Sequence, residues 1–385
     1  MFSKRTHWHF RLNRLTQALH KIRASGHEVL DLTESNPTRC LFQYPSEIVS
    51  ALNNSQNLNY APSPKGILRA REAVVAYYSE KGISLDPEQI FLTASTSEAY
   101  SFLFRLLLNP KEHLLIPRPS YPLFEYLSGL NDVVCDAYPL VYDEEWRIDL
   151  EGIKEIHPKT RAIVLVHPNN PTGSFVKREE RTFLAQLAAE NQLSFICDEV
   201  FLDYAYQKKE SPVSTFAGEN TVLTFTLSGI SKMLGLPQMK LAWIVVNGPK
   251  ELRDPAIERL EIIADTYLSV NTPSQEALSR WFSFRPVLQK QIQNRSRSNR
   301  NFLVEQCHKS PCELLHAEGG WYAILRLPET KSEEEWVLEL LAKKLVLVHP
   351  GYFYDFNEGP RIVMSLLPPT DRFKEGVDSI FNLLK

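Results

Sequence analysis

Polar residues able to do chemistry stand directly after four short apolar runs of this sequence. They are Ser95 to Ser97, Asn170, Asp198 and Lys232. A lysine that is desolvated near cationic groups has a lowered pKa and becomes an amine nucleophile able to form a Schiff base. A carboxylate at the end of a buried strand is costly unless it faces a cation. A helix that begins at Ser95 exposes backbone N–H groups that suit a phosphate.

Each of these features also has an ordinary structural explanation. Ser95 has the spacing of a plain capping box with the acid three residues later, and Asp198 could bond only to nearby backbone. Pro168 and Pro171, however, restrict the backbone around Asn170 beyond what a bare turn needs. Taken together, the four features match the needs of pyridoxal phosphate: a Schiff-base lysine, a partner for the ring nitrogen, a donor to the ring oxygen and a phosphate cup.

The elements that must position these residues alternate between strands and helices. Apolar runs typical of strands lie at 89–94, 113–116, 161–167, 193–197, 222–226 and 241–246. Amphipathic helices are predicted between them at 68–81, 96–108 and 178–191. This alternation predicts an α/β fold, in which a mostly parallel sheet is covered by helices on both faces. Ligands of such sheets gather at the carboxyl ends of the strands.

The last hundred residues have a different pattern, which predicts a second domain. A long helical stretch at about 275–308 precedes strands at 312–327, 346–349 and 361–366, with helices at 332–345 and 371–385. A first helix and a short strand at 29–32 are predicted near the N-terminus. We therefore predict a large cofactor-binding domain, residues 49–284, and a smaller α+β domain formed by residues 1–48 and 285–385.

Composition excludes several classes of function. The 385 residues include 43 Lys plus Arg and 46 Asp plus Glu, a net charge of −3, which gives no general reason to expect nucleic-acid or anionic-lipid binding. The apolar runs are too short to span a bilayer. Five scattered cysteines without C-x-x-C spacing fit a reducing compartment, so a cytoplasmic location is expected. No histidine cluster has metal-ligand spacing, so no metal site is predicted.

From about residue 28 to the C-terminus, the motifs and their order resemble the class I/II aminotransferase family, which has an aspartate-aminotransferase-like fold (fold type I) and uses pyridoxal 5'-phosphate. The 28-residue gap from Asn170 to Asp198 and the 34-residue gap from Asp198 to Lys232 are similar to the family's spacing. The matching motifs are Tyr60-Ala61-Pro62-Ser63-Pro64-Lys65-Gly66, Thr93-Ala94-Ser95-Thr96-Ser97-Glu98-Ala99, Pro119-Ser120-Tyr121-Pro122, Asn169-Asn170-Pro171-Thr172-Gly173, Asp198-Glu199, Ser231-Lys232, His349-Pro350-Gly351 and Arg361-Ile362.

The resemblance implies a role for each residue around the cofactor ring. Lys232 would form the internal aldimine and then shuttle the substrate's Cα proton. Asp198 would hold the protonated ring nitrogen, and Asn170 would donate to the ring oxygen. Tyr121 would stack on the ring face.

The resemblance also implies residues that bind the phosphate and the substrate. Arg361 would form a bidentate pair with the substrate α-carboxylate, with Asn170 and Asn36 nearby. The working unit implied is a homodimer with shared sites. Phosphate contacts are implied for Ser95, Thr96, Ser97, Ser231, Lys240 and Tyr60 of the partner subunit.

Three positions depart from the family's pattern. Phe201 stands where a tyrosine commonly donates to the ring oxygen, so we expect the pKa of the internal aldimine to be raised. Lys240 stands where an arginine normally pairs with phosphate; the charge is kept but the fork is lost, so cofactor affinity is expected to be weaker. The loop at 34–38 lacks the glycine frequent there, and its polar side chains are expected to shape substrate preference.

Amino transfer from an L-amino acid to a 2-oxo acid, through a pyridoxamine form, is the function that this pattern predicts. A carbon–sulfur β-lyase remains open, because it uses the same residues and also begins with loss of the Cα proton. A cofactor-binding regulator is disfavoured, since about thirty residues before the first motif are too few for a DNA-binding module. A catalytically dead binding protein is disfavoured because the key residues are all present. Alanine, glutamate, methionine and aromatic donors all stay open.

Overall fold

The computed structural model describes residues 1–8, 10–153, 155–206, 214–356 and 358–384. Its strands are β1 (Leu30–Asp31), β2 (Ile90–Thr93), β3 (His113–Arg118), β4 (Val134–Asp143), β5 (Glu145–Ile148), β6 (Thr160–Val166), β7 (Ser194–Asp198), β8 (Thr224–Gly229), β9 (Ala242–Asn247), β10 (Glu313–Leu314), β11 (Tyr322–Arg326), β12 (Val346–Leu347), β13 (His349–Pro350) and β14 (Arg361–Ser365). Its α-helices are α1 (Arg14–Ala24), α2 (Glu47–Ser50), α3 (Leu68–Ser79), α4 (Thr96–Leu107), α5 (Leu123–Leu130), α6 (Arg178–Asn191), α7 (Ile230–Met233), α8 (Lys250–Tyr267), α9 (Thr272–Ser283), α10 (Arg285–Cys307), α11 (Glu333–Lys344) and α12 (Thr370–Leu384).

A large sheet forms the centre of the molecule. Its eight strands in the described part of the chain run in the order β2-β9-β8-β7-β6-β3-β4-β5. The strands from β8 to β4 pair in parallel, whereas β9 and β5 are antiparallel to their neighbours. The predicted large domain with a mostly parallel sheet is therefore confirmed.

Helices cover both faces of this sheet, and successive residues of one strand show it. On β7, Ile196 packs in a cluster with Leu260 of α8 and with residues of α4. The preceding residue, Phe195, packs in a different cluster with Leu184 of α6. Neighbouring side chains of a strand point to opposite faces of the sheet, and here helices cover both faces. Side chains on both faces must therefore be apolar, which explains the continuous apolar runs of the sequence.

A smaller α+β unit is built from the two ends of the chain. Its sheet has the order β10-β11-β14-β13, and β1 pairs in parallel with β12. Leu15 of α1 shares a core with Leu340 of α11 and Phe373 of α12, so the N-terminal helix belongs with the C-terminal elements. The predicted smaller α+β domain is confirmed, and the proposed bounds, 1–48 with 285–385 against 49–284, stay predictions. No helix among the described residues is long and apolar enough to cross a membrane.

Several elements differ from the sequence-based expectation. The helical stretch at 275–308 is two helices, α9 and α10, which meet at Phe284. Pro286 explains the break, because a proline near the start of α10 cannot continue the preceding helix. The hairpin β4–β5 was not predicted, since β4 is half-exposed over much of its length and carries no apolar run.

Candidate active site

Four strand ends meet along one edge of the large sheet. Strands β8, β7, β6 and β3 lie side by side and parallel, so their carboxyl ends share that edge. Lys232, Asp198, Asn170 and Tyr121 follow these strands in the same order. The structure thus brings four of the predicted site residues to neighbouring positions, as expected for a ligand site of such a sheet.

Lys232 lies in α7, directly after the buried strand β8. Its Nζ is 5.5 Å from the ring centre of Trp321 and 5.9 Å from that of Phe201. The hydroxyl of Tyr204 donates to the Lys232 carbonyl over 2.7 Å, which fixes the turn. Burial lowers the pKa of the Lys232 amine, and the charge of Asp198 opposes this only in part. A lysine of this kind is suited to act as a nucleophile.

Asp198 ends β7, and burial raises the pKa of its carboxyl from 3.8 to about 6. Two donors favour its ionised form: the Val200 N–H, 3.1 Å from Oδ1, and the Tyr100 hydroxyl, 3.1 Å from Oδ2. The charge of Lys232 acts in the same direction. A buried carboxylate held in this way is completed by a further cationic N–H group.

Tyr100 was missed by sequence reasoning. It lies four residues after Thr96 in α4, on the buried side of that helix, and is 2% exposed. In the sequence it is one more aromatic residue of an amphipathic helix. The only available signal was that this helix begins at the predicted phosphate site.

Asn170 follows β6 in a tightly packed turn. Its neighbour Asn169 supports that turn: the Gly173 N–H donates to the Asn169 carbonyl over 2.8 Å, and the Thr172 hydroxyl to Oδ1 over 3.1 Å. Gly173 has φ +69°, and a Cβ there would collide with the Gly319 carbonyl. Asn170 Oδ1, in contrast, is buried without a hydrogen-bond partner in the described part of the chain. Asn169 therefore supports the turn, and the amide of Asn170 faces the site.

Hydroxyl groups gather at the start of α4, the predicted phosphate site. Ser95 caps the helix, accepting from the Glu98 N–H over 3.2 Å. The Glu98 carboxylate accepts from the Ala94 N–H over 2.7 Å, one residue before the position that a capping box uses. Thr96 and Ser97 are half-buried in the first turn. The free N–H groups of this turn and the three hydroxyls suit a phosphate.

The remaining predicted phosphate ligands lie on exposed or half-exposed positions. Ser231 is half-buried in α7, next to Lys232. Lys240 is exposed and has φ +51°, directly before the buried run that leads into β9. Tyr60 is 83% exposed, so its ring is not covered by its own chain. Tyr121, which is predicted to stack on the cofactor ring and not to bind phosphate, is 48% exposed at the edge of the sheet.

Arg361 begins β14 and is 4% exposed, yet its guanidinium makes no hydrogen bond within the described residues. Its nearest acid, Glu358, is 3.9 Å away and its side chain is 89% exposed. The guanidinium lies 5.4 Å from the ring centre of Phe356. Burial lowers the Arg361 pKa, and the charge of Arg326 adds to that effect. The structure shows no contact of Arg361 with Lys232, Asp198 or Asn170 among the residues it describes.

Neighbouring arginines differ from Arg361 in having close acids. Arg326, opposite Arg361 in the sheet, donates to Glu313 over 2.5 Å, and Arg118 lies 3.4 Å from Asp355. Arg118 and Arg361 line the same cavity of about 190 Å³, with walls of Tyr142, Trp146 and Phe356. Among the described residues, Arg361 has only the exposed Glu358 carboxylate near its guanidinium, at 3.9 Å and without a hydrogen bond, so this buried arginine beside a cavity suits an incoming carboxylate.

In the loop at 34–38, Asn36 is occupied locally. Its Oδ1 accepts from the Thr38 N–H over 3.1 Å and from the Thr38 hydroxyl over 2.8 Å. Ser35 instead reaches the aromatic cluster, where it is hydrogen-bonded to Tyr322. Trp321, Tyr322 and Tyr354 are buried in one cluster with Phe201, beside Lys232.

These observations fit pyridoxal phosphate. The site combines an amine of lowered pKa, a buried carboxyl of raised pKa, the side-chain amide of Asn170, whose nitrogen can donate, and a helix start with three hydroxyls. Each corresponds to a different part of the cofactor: the aldehyde, the ring nitrogen, the ring oxygen and the phosphate.

Comparison with known proteins agrees with this chemistry. The family model for aminotransferase class I and II matches residues 27–380. The chain is 27% identical over 375 residues to the glutamate-pyruvate aminotransferase AlaA of Haemophilus influenzae, covering 94% of this chain and 92% of that protein. It is 31% identical over 229 residues to an S-alkyl-thiohydroximate lyase of Arabidopsis thaliana, covering 58% and 49%. Among solved structures, an alanine aminotransferase from Pyrococcus furiosus matches with a TM-score of 0.90 at 23% identity, covering 100% and 99%.

Proposed function

Because this chain belongs to the aminotransferase class I and II family, a family of pyridoxal-phosphate enzymes, we propose that it transfers the amino group of glutamate to pyruvate. The aminotransferase activity and the cofactor are those of the family. The substrate pair rests on the name of the Haemophilus influenzae relative, which aligns with nearly the whole length of both chains. The observation that carries the reaction is the pairing of a lysine of lowered pKa with a carboxyl of raised pKa at adjacent strand ends.

The bound cofactor supplies an aldehyde that accepts the amino group and a ring that withdraws electrons from the substrate's Cα. The chain's own residues do the rest. The Asp198 carboxylate would hold the protonated ring nitrogen, and the Tyr100 hydroxyl favours the ionised form of that carboxyl. Nζ of Lys232 removes the proton from Cα, a step that its lowered pKa favours because a larger share of the amine is unprotonated.

Binding and orientation fall to the residues around this centre. The hydroxyls at the start of α4 and of Ser231 hold the phosphate. Lys240 supplies a positive charge but cannot form the two parallel hydrogen bonds of an arginine. Arg361 takes the substrate carboxylate, which orients the Cα–H bond toward Lys232. The buried rings of Trp321 and Phe201, beside Lys232, exclude water from the amine.

The carbon–sulfur β-lyase is not favoured. The lyase relative covers about half of either chain, whereas the aminotransferase relative covers more than nine-tenths of both. Both reactions start by removing the Cα proton, so the residues around Lys232 do not distinguish them. The two reactions are distinguished by their products.

The proposal includes a homodimer with shared sites. Tyr60 is 83% exposed and lines a cavity with Leu268, and further apolar side chains near it in sequence are open to solvent: Leu58 is 90% exposed and Leu68 is 51% exposed. An apolar surface of this kind suits a second copy of the chain. There Tyr60 would reach the phosphate bound by the other copy. The five free cysteine thiols suit the cytoplasm, where we place the enzyme.

The test is a half-reaction with single amino acids. The loaded protein is mixed with one L-amino acid and no oxo acid, while its visible absorption and the released oxo acid are measured. The proposal is supported if the visible absorption band of the loaded protein is converted while one equivalent of oxo acid per site is released, fastest for glutamate and alanine. A faster aromatic or methionine donor overturns the substrate pair. Repeated release of pyruvate and ammonia from cysteine-type substrates, with the band unchanged, overturns aminotransfer in favour of the lyase.

A further inference from the structure

Tyr322 links three parts of the site. It begins β11 of the small unit and is 9% exposed, and its oxygen accepts from the side chains of Ser35 and Asn170, both of which lower its pKa. Burial outweighs them and raises the pKa of this phenol to about 12, so the group is an uncharged hydroxyl near neutral pH. A proton-bearing hydroxyl therefore contacts the side-chain amide that follows β6.

The amide of Asn170 has two ends with opposite hydrogen-bonding character. Its Oδ1 accepts and is buried without a hydrogen-bond partner among the described residues, and its nitrogen can donate two hydrogen bonds. The amide nitrogen donates one of its two N–H bonds to the Tyr322 oxygen. The other N–H bond is left free for a ligand. Ser35 completes the chain, because its own hydroxyl can donate to the Tyr322 oxygen.

Phe201 explains why the Asn170 amide must be held in place. Its ring is 2% exposed and packs edge-on against Trp321, with ring centres 5.2 Å apart, and against Tyr322 at 6.2 Å. It carries no hydroxyl, so this side of the site offers no phenol to the ring oxygen of the cofactor. The phenol of Tyr322 belongs to the same cluster and lies next to the Phe201 ring.

We propose that Tyr322 is a positioning residue: with Ser35, its hydroxyl fixes the amide of Asn170 so that an N–H faces the cofactor's ring oxygen, in place of the hydroxyl that Phe201 lacks. This inference rests on the proposed function, since it requires the cofactor at Lys232. Ser35 and Tyr322 together would compensate for the hydrogen bond to the ring oxygen that a tyrosine at position 201 would make by itself.

The experiment measures the pH midpoint of the visible absorption band of the loaded protein. A donor to the ring oxygen spreads the negative charge of that oxygen, and this charge holds the neighbouring proton, so a weaker donor raises the midpoint. Tyr322→Phe is expected to raise it by roughly 0.5–1 pH unit, the equivalent of one neutral hydrogen bond. Ser35→Gly is expected to raise it less, because Tyr322 then keeps its contact with Asn170.

Tyr354→Phe is the matched control. Tyr354 is a buried phenol of the same cluster, but its hydroxyl bonds to Nδ1 of His349 at 3.0 Å and not to Asn170. Its removal is expected to leave the midpoint at the wild-type value. Adding the hydroxyl back by Phe201→Tyr in the Tyr322→Phe protein is expected to lower the midpoint again.

Two results overturn the inference: an unchanged midpoint in Tyr322→Phe, or an equal rise in Tyr354→Phe, which would mark a general effect of cluster packing. If Tyr322→Phe does not fold, Ser35→Gly and Ser35→Ala decide in its place, and an unchanged midpoint in both is the overturning result. Absence of a visible band in the wild-type protein is a different failure. It overturns the proposed function, and the inference with it, before any variant is compared.

Discussion

The hydroxyl of Tyr100 donates to Oδ2 of Asp198 over 3.1 Å, and this bond joins α4 to the end of β7. The same helix begins at the hydroxyls of Ser95 and Thr96, where the phosphate is proposed to bind. Because residues four apart lie on one face of a helix, Thr96 and Tyr100 point the same way. One rigid helix thus sets the spacing between the phosphate site and the carboxylate that serves the ring nitrogen.

Replacement of Tyr100 by Phe tests that arrangement. The hydroxyl favours the ionised form of Asp198, so its loss is expected to raise the Asp198 pKa further and to weaken the hold on a protonated ring nitrogen. We expect cofactor affinity to fall about tenfold, as is typical for the loss of one hydrogen bond to a charged group. The measurement is a titration of cofactor-free protein with pyridoxal phosphate.

Tyr138→Phe serves as the control for Tyr100→Phe. Tyr138 is equally buried, and its hydroxyl donates to the Val164 carbonyl over 2.8 Å rather than to Asp198. Both variants are expected to lose about 1 kcal/mol of stability, but only Tyr100→Phe should lose affinity. Equal cofactor affinities in the two variants would show that the hydroxyl of Tyr100 serves packing alone.

Asp198→Asn is expected to change how the stability of the cofactor-free protein depends on pH. Between pH 3.8 and about 6 the unfolded chain has released the Asp198 proton while the folded chain keeps it. Stability therefore falls as pH rises through this window and stays lower above it. The change in pKa corresponds to at most about 3 kcal/mol.

Urea unfolding at pH 4 and pH 7.5 measures this difference. Wild type and Asp198→Asn should have similar free energies of unfolding at pH 4. At pH 7.5 the variant should be the more stable of the two, because asparagine carries no charge to bury. Equal free energies of unfolding for the two proteins at both pH values would mean that burying the Asp198 carboxylate does not destabilise the folded chain.

The residues that sequence reasoning found are those that end apolar strands. Lys232, Asp198 and Asn170 interrupt or follow apolar runs, and the parallel order of those runs places their ends together. Those patterns are local, so they are visible in the chain. The mostly parallel sheet and the second unit follow from the same local signals.

Tyr100 and Tyr322 could not be found in this way. Both are aromatic residues within apolar patterns, and their importance comes from where one hydroxyl points. Tyr100 is 98 residues away from its partner Asp198 in the chain, and Tyr322 meets Ser35 from the other end of the sequence. Contacts across such distances depend on how elements far apart in the chain pack together, and they leave no trace in local spacing. The cavity beside Arg361 is likewise formed by segments far apart in sequence.

Arg361→Lys tests the carboxylate site. Lysine keeps the charge but cannot form the two parallel hydrogen bonds of a guanidinium, so KM for both the amino acid and the oxo acid is expected to rise about tenfold. The visible band of the loaded protein should be unchanged. Arg326→Lys is the control, since Arg326 stands opposite Arg361 in the sheet but has Glu313 as its own partner. A wild-type KM in Arg361→Lys would place the substrate carboxylate elsewhere.

Mixed dimers test whether two copies share each site. Tyr60→Ala removes the exposed ring that is proposed to reach the other copy's phosphate, and Lys232→Ala removes the amine. If Tyr60 acts across the interface, a dimer of one chain of each kind has one site with both wild-type residues and one site with neither. Such a dimer, purified through two different tags, is expected to show about half of the wild-type activity at limiting cofactor. If Tyr60 acts within its own chain, each site lacks one residue and the mixed dimer shows at most about half of the activity of the Tyr60→Ala protein. A fully active monomer would contradict the shared site altogether.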